Sequence, residues 1–356
     1  MAQWDKTDIH IDGGETVKAV APIIISASRS TDIPAFYADW FFDRLGKGYS
    51  AWTNPFNGVK SYISYEKTRF IVFWSKNPKP LLKHIGELMA LNINCYIQYT
   101  LNDYVDEGLE PNVPDVDGRI ETFKTLVEKL GKESVIWRFD PLVLTDTIDV
   151  DTLLNKITYI GDKLKNYTER LVFSFVDISM YNRVRKNLER DNVHYQEWTE
   201  EQMNLFAKRL SKINSEHEWN YQLSTCAEKI SLEQYGISHS KCIDDELMIR
   251  LAYKDETLMR YLGVNIHTTQ TDLWGNVPIP QNAIVIDSDH YAIKEKDNKD
   301  KGQRAFCGCI VSKDIGQYNT CPHQCKYCYA NTSRSSALAN YKYHLENKNS
   351  DMIVSG

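Results

Sequence analysis

Long apolar runs are missing from this chain of 356 residues. The longest, Ile23-Ile24-Ile25 and Phe70 to Trp74, fall far short of the ~20 residues a membrane-spanning helix requires. The opening stretch, Met1 to Asp8, is polar and acidic where a secretory signal would be basic and then apolar, which predicts a cytoplasmic location. A surplus of positive charge is lacking too. The 42 Lys and Arg are outnumbered by 48 Asp and Glu, for a net charge of -6 and a pI of about 5.9. A general electrostatic grip on nucleic acid is thereby disfavoured, although a local basic groove is not. There is no glycine-rich phosphate loop, no low-complexity tract and no internal repeat beyond a β-α rhythm.

What is present is an ordinary globular composition, 42% hydrophobic, with enough material for one large α/β domain or two smaller ones. The 21 Tyr and 8 Trp would suit stacking on a base, but aromatics at helical spacing read first as core. Seven short apolar and β-branched runs, at 23–27, 49–53, 70–74, 95–101, 135–139, 171–176 and 220–225, read as strands separated by helical patterns. Phe36, Trp40, Phe41 and Leu45 share one helix face, and Ile120, Phe123, Leu126, Val127 and Leu130 share another. Thr199 and Gln202 read as a capping box. Parallel β-α units without a phosphate loop predict an α/β chain with a closed or partial parallel barrel rather than a doubly wound nucleotide-binding sheet. The expected division is a barrel body at 1–290 and a segment at 291–356 that completes it, joined by a solvated charged stretch between Asp287 and Arg304.

Polar residues gather after the expected strands: Ser28, Arg29, Ser30 and Asp32, then Asn54, Lys76 and Asn77, Asn102 and Asp103, Asp140, and Asp177. In a parallel barrel such positions lie on one rim, where active sites sit. The plainer reading is that Asp and Asn favour turns and helix starts. Arg138 has two readings: its planar fork suits a carboxylate or phosphate, or it bridges Asp140 two residues along the same strand.

Eight cysteines are few, but they are unevenly spread. Five of them (Cys307, Cys309, Cys321, Cys325, Cys328) crowd the C-terminal part, which in a reducing compartment favours metal over disulfides. Cys95, Cys226 and Cys242 are scattered and read as small buried hydrophobes. The run Cys321-Pro-His-Gln-Cys325-Lys-Tyr-Cys328 puts three thiols on one tight loop. Three thiolates can each hold one iron of a 4Fe-4S cube, leaving the fourth iron open to a small molecule. Zinc is the competitor, with Cys307 and Cys309 pairing with Cys325 and Cys328, but it would leave Cys321 over. His323, inside the loop, could replace a thiol or donate to a cluster sulfur, and is expected at the surface.

The Cys-x3-Cys-x2-Cys spacing, with Tyr327 before the last cysteine, resembles the signature of the radical S-adenosylmethionine superfamily. Its place near the C terminus is a departure, and implies a permuted order in which 311–318 is the strand before the loop and 335–345 the helix after it. The whole chain resembles the domain of unknown function 1848 family, through Ser26-Ala-Ser-Arg-Ser-Thr-Asp-Ile-Pro34, Phe73-Trp-Ser-Lys-Asn-Pro78, Trp137-Arg-Phe-Asp-Pro141 and the terminal block from Cys307-Gly-Cys309 to Cys325-Lys-Tyr-Cys-Tyr-Ala330. That family is described as carrying a radical-SAM-like cysteine cluster, and the spore photoproduct lyase group is a more distant analogy.

The resemblance implies a 4Fe-4S cluster on Cys321, Cys325 and Cys328, S-adenosylmethionine on the open iron, and a 5′-deoxyadenosyl radical that takes hydrogen from an unknown substrate. It implies Ser26, Ser28, Arg29 and Asp32 near the amino group of S-adenosylmethionine, although the usual glycine-glycine-glutamate version is missing. Tyr327 would lie near the adenine, Asn102 near the ribose or substrate, and Lys76, Asn77, Arg138 and Asp140 near the substrate. Cys307 and Cys309 would ligate a second metal, quench a substrate radical or shield the cube, and a flavodoxin or ferredoxin would supply electrons. Two other readings stay open: a non-enzymatic iron-sulfur or zinc protein with a structural or sensing role, and a metal-independent barrel hydrolase or lyase using Asp140 and Asp177.

Overall fold

Strands that are apolar on both faces must be covered on both faces, and the central strands here are. The computed structural model describes residues 4–54, 57–269 and 279–354. Its main sheet has eight strands: β1 (Ile24–Ala27), β2 (Phe70–Ser75), β3 (Asn94–Thr100), β4 (Val135–Leu142), β5 (Arg170–Phe175), β6 (Gln222–Cys226), β7 (Ser238–Ser240) and β8 (Lys313–Asp314). The spatial order is β7-β6-β5-β4-β3-β2-β1-β8, and every pairing is parallel.

Alternate residues of these strands feed two apolar layers. Ile25, Ile71, Phe73, Ile97, Trp137 and Phe173 pack with the connecting helices, such as Val116–Leu130 and Val150–Leu164. Ile24, Phe70, Val72, Tyr96 and Ile136 pack instead against Leu247, Met248, Leu258 and Met259 of the helices Asp245–Ala252 and Glu256–Leu262. The helices begin where their caps direct: Asp115 and Asp149 accept from the first turn, and Thr199 with Gln202 completes the expected capping box.

Six of the seven expected strands enter this sheet. The exception is Tyr49–Thr53, which pairs antiparallel with Lys60–Ser64 in a separate four-stranded sheet and so contributes no strand end to the rim. Lys60, Ser61 and Tyr62 stay at least partly exposed, the mark of a sheet with one wet face. The charged stretch after Asp287 is also more ordered than expected. His290–Lys294 is a strand paired with Val264–Thr268, and Lys294 forms an ion pair with the buried Asp245.

The main sheet is open: β7 and β8 are its edges, and no ladder joins them among the described residues. The partial form of the expected barrel is therefore the one observed. The C-terminal segment is bound into this body. Strand β8 adds beside β1, with Asp314 opposite Ser26, and the helix Arg334–Glu346 follows. The Tyr37 hydroxyl donates to the Thr320 carbonyl at 2.5 Å, and the Trp40 indole to the Ser350 carbonyl at 2.8 Å. Among the described residues no helix is long and apolar enough to cross a membrane.

Candidate functional site at the strand ends

The cysteine loop is seated on the carboxyl ends of the strands by a set of unrelated polar anchors. Asp314, closing β8, accepts from the Ser26 hydroxyl at 3.0 Å, the Arg29 backbone N–H at 2.8 Å and the Gly316 N–H at 3.0 Å. Gly316 comes so close to β1 that a Cβ there would stand 2.6 Å from Ser30 Oγ, so only glycine fits. Beyond it, Asn112 donates to the Pro322 carbonyl at 2.9 Å, Lys326 N–H to the Leu109 carbonyl at 2.9 Å, and Asn187 to the Cys328 carbonyl at 2.8 Å.

Within the loop, Cys321, Cys325 and Cys328 are partly buried and reduced. Burial pushes all three thiols above their ordinary value, and Cys325 is pushed further by Glu110, Cys328 and Cys321 against the opposing charge of Lys76. Such thiols stay protonated on their own; a bound metal is what would make thiolates of them. The Ala330 N–H already points at Cys328 Sγ, 3.3 Å away. The expectation that His323 lies at the surface is overturned: it is 2% exposed and packs edge-on against Phe36. Its Nε2 lies 2.9 Å from Asp32 Oδ2 and its Nδ1 3.1 Å from the Asn112 carbonyl, so neither nitrogen is free to be a fourth ligand.

Asp32 is the hub on the strand side. Besides His323 it accepts from Ala35 N–H at 3.0 Å, capping the turn Ile33–Phe36, from Ser75 Oγ at 2.7 Å and from Lys76 N–H at 2.8 Å. Ser28 Oγ is likewise occupied, by Ser30 N–H at 3.0 Å and Ser30 Oγ at 3.1 Å. By contrast the Arg29 Nη2 and Thr31 Oγ1 are buried without partners.

Next to Cys325 lies a buried polar knot. Lys76 Nζ stands 2.6 Å from Glu110 Oε1 and 3.0 Å from the Tyr327 hydroxyl, which itself donates to Glu110. Asn102 adds bonds to Glu110 at 3.2 Å and Tyr327 at 3.1 Å. Burial alone would raise the Glu110 carboxyl, but Lys76 and Arg119 outweigh it and hold it down at about 2. Glu110 Oε2 and two nitrogens of Arg119, Nε and Nη1, remain buried and unpartnered. Asn77 contributes only its backbone N–H, to Ser75 Oγ at 2.9 Å.

Residues 24–330 match the family model described as a domain of unknown function, DUF1848. The chain belongs to that family. The match runs from β1 to just past Cys328, so the whole rim and loop of this DUF1848 chain lie inside it. No curated protein and no solved structure matches the chain.

Further along the DUF1848 rim, the bridging alternative describes Arg138 and Asp140. Arg138 Nε lies 3.2 Å from Asp140 Oδ2, its Nη2 bonds the same oxygen, and Nη1 donates to Gln98 at 3.2 Å. Burial would raise Asp140, yet Arg138 and the hydroxyl of Ser174 hold it below the usual carboxylate range. Trp74 is flanked by two guanidiniums, Arg29 at 5.6 Å and Arg138 at 5.5 Å from its ring centre. Asp177 accepts only from Ser179 and Met180 in its own turn. Glu228, after β6, is pushed up to about 7, chiefly by burial and then by the charge of Asp140.

The cysteines sort differently from their sequence spacing. Cys95 is the buried hydrophobe expected. Cys242 is likewise in the apolar core and Cys226 packs against it, and in addition their sulfurs lie 3.0 Å apart. The Cys242 backbone N–H donates to Cys309 Sγ at 3.2 Å, and Cys309 interacts with Cys307. Cys307 and Cys309 thus turn toward Cys242 rather than toward Cys325 and Cys328, and the mixed zinc set does not assemble. Among the described residues no three His, Cys, Asp or Glu side chains surround one point as ligands of a single ion. A single tetrahedral zinc needs sulfurs about 3.8 Å apart at Zn–S bonds of about 2.3 Å, whereas thiolates on three different irons stand wider. Glu110, Arg119, Trp74, Glu228 and the Cys226–Cys242 pair went unnoticed in the sequence; Glu110 sits in an irregular segment with no periodicity to mark it.

Proposed function

We propose that this DUF1848 chain is an iron-sulfur enzyme of the radical S-adenosylmethionine type, acting on a substrate held over the carboxyl ends of its parallel strands. The observation that carries this reading is the donor set of one loop: three partly buried thiols, with the histidine between them tied to Asp32 and Asn112. Seated after an edge strand that pairs beside β1, the loop follows the permuted order its position in the chain implies. When bound, the cluster with S-adenosylmethionine supplies one-electron cleavage of a sulfonium bond and hence a carbon radical.

The chain's own residues hold and dry the site. Tyr327, locked by Lys76, Asn102 and Glu110, fixes the backbone between Cys325 and Cys328. Asp32 and Ser28, whose oxygens are already engaged, hold the strand end and the loop in register. The unpartnered Arg29 Nη2 and Thr31 Oγ1 are the groups at that strand end still able to bind a carboxylate or an amino acid moiety. Lys76 and Asn77 at one strand end, and Asp140 with Arg138 at another, border the space for the substrate. Glu228, near neutrality in its affinity for protons, is suited to give or take one there. A low-potential donor such as a flavodoxin or ferredoxin completes the scheme.

The test is anaerobic reconstitution with iron and sulfide, desalting, and then reduction in the presence of S-adenosylmethionine. About four irons and as many sulfides per chain are expected from the loop site, with release of 5′-deoxyadenosine. An intact cluster that leaves S-adenosylmethionine whole sinks the enzyme reading.

A further inference from the structure

The second group of cysteines carries an inference of its own, independent of what the Cys321 loop binds. Four sulfurs arrive from three separate stretches: Cys226 from the end of β6, Cys242 from the turn after β7, and Cys307 and Cys309 from the segment before β8. The Cys226 and Cys242 sulfurs lie 3.0 Å apart, Cys309 Sγ accepts the Cys242 backbone N–H at 3.2 Å, and Cys307 lies two residues before Cys309 and interacts with it. We propose that Cys226, Cys242, Cys307 and Cys309 form a second metal centre, closed by four protein thiolates, that takes a zinc ion or an iron-sulfur cluster.

Three features of the surroundings support thiolates rather than idle thiols. First, N–H groups are aimed at the sulfurs. Cys242 N–H and Ile243 N–H donate to Cys309 Sγ at 3.2 and 3.3 Å, and Arg138 Nη1 donates to Cys242 Sγ at 3.3 Å. A thiol is a weak acceptor, whereas a metal-bound thiolate is oriented and tuned by such donors. Second, the positive charge nearby is of the right kind. Arg138 interacts with Cys242 and Cys226, Arg29 with Cys309 and Cys242, and Arg304 with Cys226 and Cys307. Four thiolates on one dication leave excess negative charge, which these guanidiniums offset. Third, Cys242 and Cys309 are buried, at 4% and 2% exposure, so bulk water does not compete for the metal.

As they stand the sulfurs form a chain and not a tetrahedron, in keeping with the absence of a ready single-ion geometry. Edges of about 3.8 Å are needed around a zinc with bonds of about 2.3 Å. The Cys226–Cys242 contact must open and Cys307, outside any helix or strand, must swing toward Cys226. With all four positions filled by protein, this centre has no place for a substrate. Its part is to brace the ends of β6 and β7 against the segment that leads into the Cys321 loop, or to pass electrons toward it if it holds iron.

The test uses the full chain with Cys321→Ala, Cys325→Ala and Cys328→Ala, so that only the second group is left. After anaerobic incubation with zinc, or with ferrous iron and sulfide, and desalting, it should keep about one zinc or about four irons with sulfide. Adding Cys307→Ala and Cys309→Ala should abolish that metal. Zinc alone identifies a single ion and iron with sulfide identifies a cluster; either outcome supports the centre. If the triple variant does not fold, the otherwise unaltered chain is compared with its Cys307→Ala, Cys309→Ala variant, which should hold less metal by that same amount. Metal content unchanged by the Cys307 and Cys309 substitutions, or a chain that emerges metal-free, overturns the proposal, whatever happens to S-adenosylmethionine.

Discussion

His323 Nε2 and Asp32 Oδ2, 291 positions apart in the chain, lie 2.9 Å from each other in a buried pair. This one contact joins the middle of the cysteine loop to the end of β1, where the carboxylate also caps a helical turn and holds Ser75 and Lys76. The histidine's part is therefore to position the loop.

His323→Leu keeps most of the bulk against Phe36 and removes both polar contacts. It should lower stability by about 1–3 kcal/mol, the usual result of leaving a buried polar partner unsatisfied. Urea unfolding measures it. Iron bound per folded chain should stay the same, because the ring is not a ligand; iron lost from a still-folded variant would make it one.

Glu110 sits between Lys76 and Tyr327, with its carboxyl held at about 2 against an ordinary value of 4.5. The folded-state value is depressed, so the stabilisation is present above about 4.5 and is lost as pH falls from there through 2. Glu110→Gln should unfold with a flatter acid limb over that window. At neutral pH it should be less stable by about 3 kcal/mol or more, since Lys76 is left buried without its counter-charge. Equal acid limbs for variant and parent would rule out this role.

The strands were legible in the sequence because burial on both faces forces continuous apolar runs, as at Phe70 to Trp74. The same signal misled at Tyr49–Thr53, where an apolar run pairs antiparallel in a side sheet; strand pairing depends on the fold and not on the run. The three loop thiols were visible by spacing alone. Cys226 and Cys242 were not, since their meeting with Cys307 and Cys309 joins stretches far apart in the sequence and has no local pattern. Nor could His323 be recognised as buried, because its cover comes from Phe36 and its bond from Asp32, both supplied by distant parts of the chain.

At Gly316 an added methyl group would meet Ser28 Cβ and Ser30 Oγ at 2.6 Å, between β1 and the strand that leads to the loop. Neither neighbour can easily retreat, as Ser28 Oγ is fixed by two backbone N–H groups, those of Ser30 and Thr31. Gly316→Ala should cost about 1–3 kcal/mol in thermal unfolding. Hydrogen exchange should quicken at Arg29, whose N–H bonds Asp314. A variant as stable as the parent would mean that β8 does not press on β1 as described.

Glu228 follows β6 and accepts the Phe175 N–H at 3.0 Å, with Asp140 and Cys226 close enough to oppose its charge. Burial is the largest cause of its rise to about 7 from an ordinary 4.5. Between those two values the folded chain holds a proton that the unfolded chain has released. Stability therefore falls as pH rises through this window and levels off above 7. Glu228→Gln keeps the acceptor for Phe175 and cannot ionise. It should lose this decline, so that its stability relative to the parent grows from pH 5 to pH 8. Thermal unfolding across that range tests it, and parallel curves for the two proteins would show that Glu228 ionises as an ordinary surface carboxylate. If the residue also moves a proton for the substrate, the same substitution should remove a limb near pH 7 from the rate profile and leave cluster content intact.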